Sequence, residues 1–251
     1  MKRILTFILT LTLALSFCVN SFAAATTATA SETQTGTSEA QTDTSKTQAG
    51  TSEAQTDTSK VQAGASYGIS NLSGAPDIVA ESAVVMEANT GTILYGKEAD
   101  TKRYPASITK VMTALLAVEN CKMSDVITYS NAAVNGIEAG SSTAGINVGA
   151  KLTVEDSLYA LMLVSANEAA AAIAEHISGS TTEFAKLMTK RAKELGCTNT
   201  QFKNPHGLPN EEHYTTAHDM GLILKEAMKH EEFRKISGTI SYTLKKSDTL
   251  K

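Results

Sequence analysis

Positive charge in runs, cysteine in frameworks and long apolar segments are all scarce in this chain, and each scarcity removes a class of protein. The 22 Lys and Arg against 26 Asp and Glu leave a formal charge of −4, or −6 once Lys2 and Arg3 are set aside. With nothing to neutralise a row of phosphates, the chain is a poor partner for nucleic acid. It also lacks a basic amphipathic helix, so association with a membrane surface would have to come from residues beyond Lys251. Three cysteines cannot define a disulfide framework. Cys121 at a helix end and Cys197 after Leu195-Gly196 are expected to pack as small apolar residues. The five histidines are scattered, and no Cys/His cluster has metal spacing. No metal and no cofactor is therefore expected, and His206 and His218 are assigned to a turn and a helix surface.

The one long apolar stretch, Ile4 to Phe17, follows Lys2 and Arg3 and leads to Ser21-Phe22-Ala23, a small-x-small site. Residues 1–23 thus read as a signal peptide, and the protein as exported. The stretch is short for a retained membrane span and breaks at Asn20-Ser21. Phe17 is too bulky for a lipid-attachment box at Cys18. Residues 24–75 are Thr, Ser, Ala, Gln and Gly with almost nothing apolar, and Thr37–Lys46 recurs unchanged as Thr51–Lys60. A repeat without apolar positions cannot bury a core, so this segment is predicted to be a disordered linker. The globular part spans 76–251.

Within it, Ser82–Ala88 and Thr92–Gly96, joined through Asn89-Thr90-Gly91, predict a β-hairpin. Helices are predicted near Val154–Val164, Glu168–Ile177, Thr182–Leu195 and Ala217–Lys229. Thr153 with Asp156, and Thr216 with Asp219, serve as capping boxes. The polar stretch Ser130–Gly149 reads as a loop over a cleft. Ile240–Leu244 reads as the start of a strand. A hairpin, a helical region and a returning strand together predict an α+β fold, with helices packed on an antiparallel sheet.

Ser107-Ile-Thr-Lys110 carries the chemistry. A serine is a weak nucleophile unless a neighbouring base takes its proton. On a helix, a lysine three residues later lies about 4.5 Å further along the axis on the same face. Pro105 suits the first turn, and Ile108, Val111, Met112, Leu115 and Val118 recur at helical spacing as a face to bury. Free N–H groups at the helix start can face a developing oxyanion. Ser107 is the only serine with a lysine at this offset. A second motif, Ser165-Ala166-Asn167, falls where one helix gives way to the next. Its hydroxyl could relay a proton, and its carboxamide could donate to a substrate carbonyl and accept from the lysine.

These motifs resemble those of the penicillin-binding D-alanyl-D-alanine carboxypeptidases, in which Ser-x-x-Lys is a known signature. The resemblance runs from about Asp77 to the end of the chain. It includes Val84–Gly91, Tyr104–Leu116, Leu161–Ala170, Ala192–Gly196, Asn204–Leu208 and Tyr214–Asp219. It implies a β-lactamase/transpeptidase-like fold in an extracytoplasmic, cell-wall enzyme without a cofactor. It implies Ser107, Lys110 and Ser165 as catalytic residues and Asn167 as a substrate-binding residue. The substrate would be a peptidoglycan stem peptide ending in D-Ala-D-Ala, and β-lactam antibiotics would be covalent inhibitors. A D,D-endopeptidase, a class A β-lactamase and an inactive wall-binding fragment are the alternatives. A β-lactamase would need a Glu-bearing loop, and Phe202–Pro209 supplies no Glu. The chain departs from the family's pattern twice. Ala166 stands where glycine is usual, which is a strain only if φ there is positive. Lys-Thr-Gly does not occur, and Ser237-Gly-Thr239 has the wrong order. The resemblance therefore implies a chain incomplete at its C-terminal end, with the last strands of the sheet absent.

Overall fold

The computed structural model describes residues 78–244. The signal-peptide and linker assignments fall outside the described residues. The predicted hairpin is present as β1 (Ala83–Met86) and β2 (Ile93–Lys97), antiparallel, with Val84 opposite Gly96 and Val85 opposite Tyr95. Its connection turns at Gly91, where φ is +81°, and the Glu87 carboxylate gathers the Asn89 and Thr90 N–H groups at the turn. After it comes a 3₁₀ turn, Ala106–Thr109, which runs directly into α1 (Lys110–Asn120). Met112, Leu115 and Leu116 of α1 are fully buried. Ile108, predicted to join them, is instead 53% exposed, because the 3₁₀ turn rotates it off the α-helical face.

The stretch Ser130–Gly149, predicted as loop, holds one short helix and is flanked by two short strands. β3 (Val126–Thr128) pairs antiparallel with β4 (Lys151–Thr153), and the short α2 (Asn131–Asn135) lies between them. The Ser130 hydroxyl caps α2 by accepting from Ala133 N at 2.9 Å. Three-residue strands and a five-residue helix leave too few positions for a periodicity to register.

The remaining helices are α3 (Val154–Leu163), α4 (Asn167–Ser178), α5 (Thr181–Glu194), α6 (Ala217–Ala227) and α7 (Glu231–Ser237), the last not anticipated. Thr153 and Thr216 cap α3 and α6 as expected, each accepting at 3.0 Å from the N–H three residues on. α4 is the central helix: Ala169 to Ala174 are all buried, and it packs against α1, α2, α3 and α5. Its run of alanines lets four helices approach it closely, and a helix apolar all round belongs in a core. α6 lies on the hairpin and on α1. A β-carbon on Gly221 would stand 3.0 Å from Val84 Cγ1, so glycine permits this close helix–sheet approach. Arg191 on α5 reaches Glu119 of α1 at 2.6 Å and Glu226 of α6 at 3.4 Å, binding three helices together.

Ile240–Leu244 forms no strand. Tyr242 instead stacks on Tyr159, with ring centroids 3.7 Å apart, and donates to Asp156 at 2.6 Å. The architecture is α+β, as expected, with its sheet portion consisting of two antiparallel pairs among the described residues. Cys121 and Cys197 are unbridged; Cys197 is buried and Cys121 packs against the core. No helix of the described residues is long and apolar enough to cross a membrane.

Candidate active site

Pro105 precedes the 3₁₀ turn and Lys110 ends it. In a 3₁₀ turn, positions i and i+3 eclipse, which aligns Ser107 and Lys110 more closely than an α-helix would. The Lys110 ammonium nitrogen lies 3.3 Å from Ser107 Oγ. On the other side, Ser165 Oγ donates to Ser107 Oγ at 3.1 Å. The sequence separates these hydroxyls by 58 residues; the packing of α4 on α1 and α3 brings them together.

Two backbones in the site are forced. Ala106 has φ of +49° and Ser165 has φ of +57°, the left-handed region that L-residues seldom adopt. Such conformations persist where the surrounding structure over-determines them, and here they flank and bear the two hydroxyls. Ala166, by contrast, has φ of −59°, so replacing the usual glycine there introduces no strain.

Lys110 is 3% exposed, and burial pulls its amine down to about 8, with the Glu168 carboxylate opposing the shift. Its second hydrogen bond goes to the His206 carbonyl at 2.9 Å, not to the Asn167 carboxamide as the motif had suggested. Asn167 is buried beside the pair, and its backbone N–H donates to Ser142 O at 3.0 Å. Thus Ser107, Lys110 and Ser165 are in hydrogen-bond contact, and the lysine's further bond goes to the His206 carbonyl.

The segment Asn204–Leu208 is the partner that side-chain motifs did not reveal. The Asn204 carboxamide oxygen accepts from Gly207 N at 2.7 Å and its Nδ2 donates to Leu208 O at 2.9 Å, closing a tight turn. Two consecutive carbonyls of this turn then dock on α1: Pro205 O accepts from Thr113 Oγ1 at 2.6 Å, and His206 O from Lys110. Burial, together with the Lys110 charge, lowers the His206 imidazole to about 4. His213 is buried and also falls to about 4. Its Nδ1 accepts from Lys203 N, leaving Nε2 to bond Thr109 Oγ1 at 3.0 Å. Contacts through a backbone carbonyl carry no signature in residue type, although Asn204–Leu208 stood out as a matching segment. His218 lies on the surface of α6 beside Asp100, as expected.

A cleft of about 700 Å³ opens beside the Ser107 turn, lined by Glu81, Arg103, Tyr104, Pro105, Ile108 and Tyr214 among others. Ile108, turned off the core by the 3₁₀ segment, borders it. Glu119, Glu226 and His230 gather closely enough to suggest a cation, but Arg191 already fills that role.

Chemically, a hydroxyl flanked by a partly neutral amine and a second hydroxyl can lose its proton and attack an electrophilic carbonyl. Several known proteins are similar to this chain. D-alanyl-D-alanine carboxypeptidase DacF of Bacillus subtilis is 44% identical over 165 residues, covering 64% of this chain and 42% of that protein. DacA of Escherichia coli K12 is 34% identical over 160 residues, covering 61% and 40%. This chain therefore spans less than half the length of these curated relatives. The crystal structure of the Streptomyces K15 DD-transpeptidase superposes with a TM-score of 0.60 at 36% identity, covering 64% of this chain and 65% of that one. Penicillin-binding protein 5 from Haemophilus influenzae gives 0.61 at 33% identity, covering 64% and 49%. Residues 70–251 match the S11 peptidase family, described as D-alanyl-D-alanine carboxypeptidase, and the chain belongs to that family.

Proposed function

We propose that this chain carries the serine–lysine site of a serine-type D-Ala-D-Ala carboxypeptidase that removes the terminal D-alanine from peptidoglycan stem peptides. The observation that supports the reading best is Ser107 Oγ held between Lys110 Nζ and Ser165 Oγ, with the amine lowered to about 8. At pH 7 about a tenth of such an amine is neutral, against a few parts in ten thousand for an ordinary lysine. Lys110 takes the Ser107 proton as Oγ attacks the carbonyl between the two D-alanines. Ser165 relays a proton to the departing amine, and D-alanine leaves with the peptide bond broken. Water then hydrolyses the Ser107 ester and returns the enzyme. In this reading the free N–H groups at the start of the Ser107 turn donate to the oxyanion. Asn167 holds the substrate amide.

In this reading residues 1–23 direct export and are removed. Residues 24–75 space the domain from the membrane or wall, and 76–251 form the catalytic domain. The enzyme works outside the cytoplasmic membrane, and penicillins acylate Ser107 as substrate mimics. The names of the relatives and the match to the family support this assignment. The test is D-alanine release from a peptide ending in L-Lys-D-Ala-D-Ala, alongside labelling by a fluorescent penicillin. Rapid hydrolysis of penicillin without a persistent labelled band would favour a β-lactamase instead, and absence of both signals would overturn the reading.

A further inference from the structure

Thr109 is the one buried side chain of the 3₁₀ turn that carries Ser107; Ala106, Ser107 and Ile108 are all exposed. Such a turn has poorer hydrogen-bond geometry than an α-helix, and Ala106 adds a left-handed φ of +49°. Local preference therefore does not hold the turn, and contacts from elsewhere in the fold must.

The Thr109 hydroxyl meets His213 Nε2 at 3.0 Å, across 104 residues of chain. His213 is 2% exposed, and its ring stands edge-on to Phe202, with centroids 5.5 Å apart and planes at 81°. Its other nitrogen, Nδ1, accepts from Lys203 N at 3.3 Å. A backbone N–H can only donate, so Nδ1 bears no proton. Burial keeps the ring neutral, so the single ring proton sits on Nε2 and is donated to Thr109 Oγ1. Both nitrogens are thus committed. The backbone beneath the ring is held as well: Gln201 and Tyr214 exchange N–H···O bonds of 2.9 and 3.0 Å, and His213 N donates to Asn210 O at 2.9 Å.

We propose that His213 is a positioning residue of the serine–lysine site. Acting through Thr109, it clamps the Ser107 turn to the 203–208 segment and keeps Ser107 Oγ in register with Lys110 Nζ. One ring spans both supports of the lysine. On its Nε2 side lies Thr109, between Ser107 and Lys110 in the chain. On its Nδ1 side lies Lys203, directly before the Asn204–Leu208 turn whose His206 carbonyl takes the other bond of Lys110. The Thr113–Pro205 bond anchors α1 only beyond the lysine. Without the imidazole, Thr109 Oγ1 and Lys203 N–H would lose these partners inside the core, a cost that favours a displaced turn. A misplacement of about 1 Å between reacting groups can cost on the order of 10²-fold in rate.

The role assigned to His213 rests on the serine–lysine reading above, but its first test needs no catalysis. Thr109→Val keeps the side chain's shape and removes the acceptor, Thr109→Ser keeps the acceptor, and His213→Leu removes the donor. In the full chain, the nuclear Overhauser contact between the Lys110 Cε and Ser107 Cβ protons should be present in wild type and Thr109→Ser and lost in Thr109→Val. An undiminished contact in Thr109→Val would overturn the proposal. Should the variants fail to fold, wild type labelled with ¹⁵N at histidine decides: His213 must show a bare Nδ1 and a protonated Nε2 at pH 7, and the opposite tautomer would remove the clamp. The second readout is the rate of penicillin acylation, taken where circular dichroism shows each protein folded. Thr109→Val and His213→Leu should each lose on the order of 10–10²-fold. The double variant should lose no more than the worse single one, because both cut the same bond. Thr109→Ser should recover most of the wild-type rate. A residue serving stability alone would lower the melting temperature and leave the rate of the folded protein unchanged, and that result, or losses that multiply in the double variant, would sink the idea. If the contact is lost in Thr109→Val but no protein is acylated, the functional reading fails while the clamp stands.

Discussion

Gly207 and Ala106 meet so closely that position 207 has no room for a side chain. A β-carbon there would collide with the Ala106 carbonyl group and stand 2.9 Å from Thr109 Oγ1, and Gly207 also has φ of +86°. The close approach seats the Asn204–Leu208 turn on the start of α1, where His206 O meets Lys110.

Gly207→Ala should therefore lose at least about 1 kcal/mol from the backbone alone and more from the collision. Because the collision pushes the turn away from Lys110, penicillin labelling should fall sharply as well. Gly179→Ala is the control: φ is +76° there, but nothing lies within 4 Å of the added carbon. It should lower the melting temperature and leave labelling intact. Equal labelling by the two variants would show that the Gly207 contact does not position the site.

Ser107→Ala should abolish labelling by a fluorescent penicillin while the circular dichroism spectrum and melting temperature stay near wild type, since Ser107 is exposed. A labelled band in the variant would remove Ser107 as nucleophile. Lys110→Arg keeps the charge but cannot release a proton at usable pH. Its labelling rate should fall below about a tenth of wild type, as loss of a general base commonly costs 10²–10⁴-fold. A higher rate would mean that charge, not proton transfer, is what Lys110 provides.

The lowered lysine also has a signature in stability. Folding drives the Lys110 proton off between about pH 8 and its unfolded value of 10.5. Below pH 8 the folded state carries the full penalty of the buried charge, and the penalty is relieved as pH rises through that window. Unfolding free energies of wild type minus Lys110→Met should thus rise by roughly 3 kcal/mol between pH 8 and 10.5. A difference that stays flat in denaturant titrations across this range would contradict the buried, lowered amine.

At acid pH the buried His213 acts in the same formal way. Its value falls from 6.5 to about 4 on folding, so the unfolded chain binds the proton more readily between these limits. Stability contributed by the neutral imidazole is complete above pH 6.5 and is lost as pH falls towards 4, amounting to roughly 3 kcal/mol. His206 contributes in the same direction. Melting temperatures of wild type and His213→Gln at pH 7 and pH 4.5 should converge at the lower pH. A constant gap between them would show that His213 titrates normally.

The fold was legible wherever a local rule applied over enough residues. The hairpin, four long helices and both threonine caps were readable because periodicity and capping chemistry act over one or two turns of chain. Ser107 and Lys110 were readable for the same reason, since an i,i+3 spacing is a local geometry. α2 and the β3–β4 pair were not, being too short for a pattern to outweigh their polar composition. The Ile240–Leu244 segment carries a strand-like composition, yet Tyr242 is captured by Tyr159 and Asp156 across 86 residues, and that packing overrides local preference.

The sequence by itself determined that a serine and a lysine share one turn, that a second hydroxyl follows at a helix junction, and that neither cysteine need be bridged. Tertiary structure decided which groups surround them. Ser165 joins Ser107, the His206 carbonyl takes the bond expected of Asn167, and Glu168 reaches the lysine's field. The reason is physical: hydrogen bonds to backbone carbonyls and the depth of burial depend on where distant segments pack. An amine that titrates near 10.5 in the open chain is brought to about 8 only when the packed fold buries it and seats the His206 carbonyl on it.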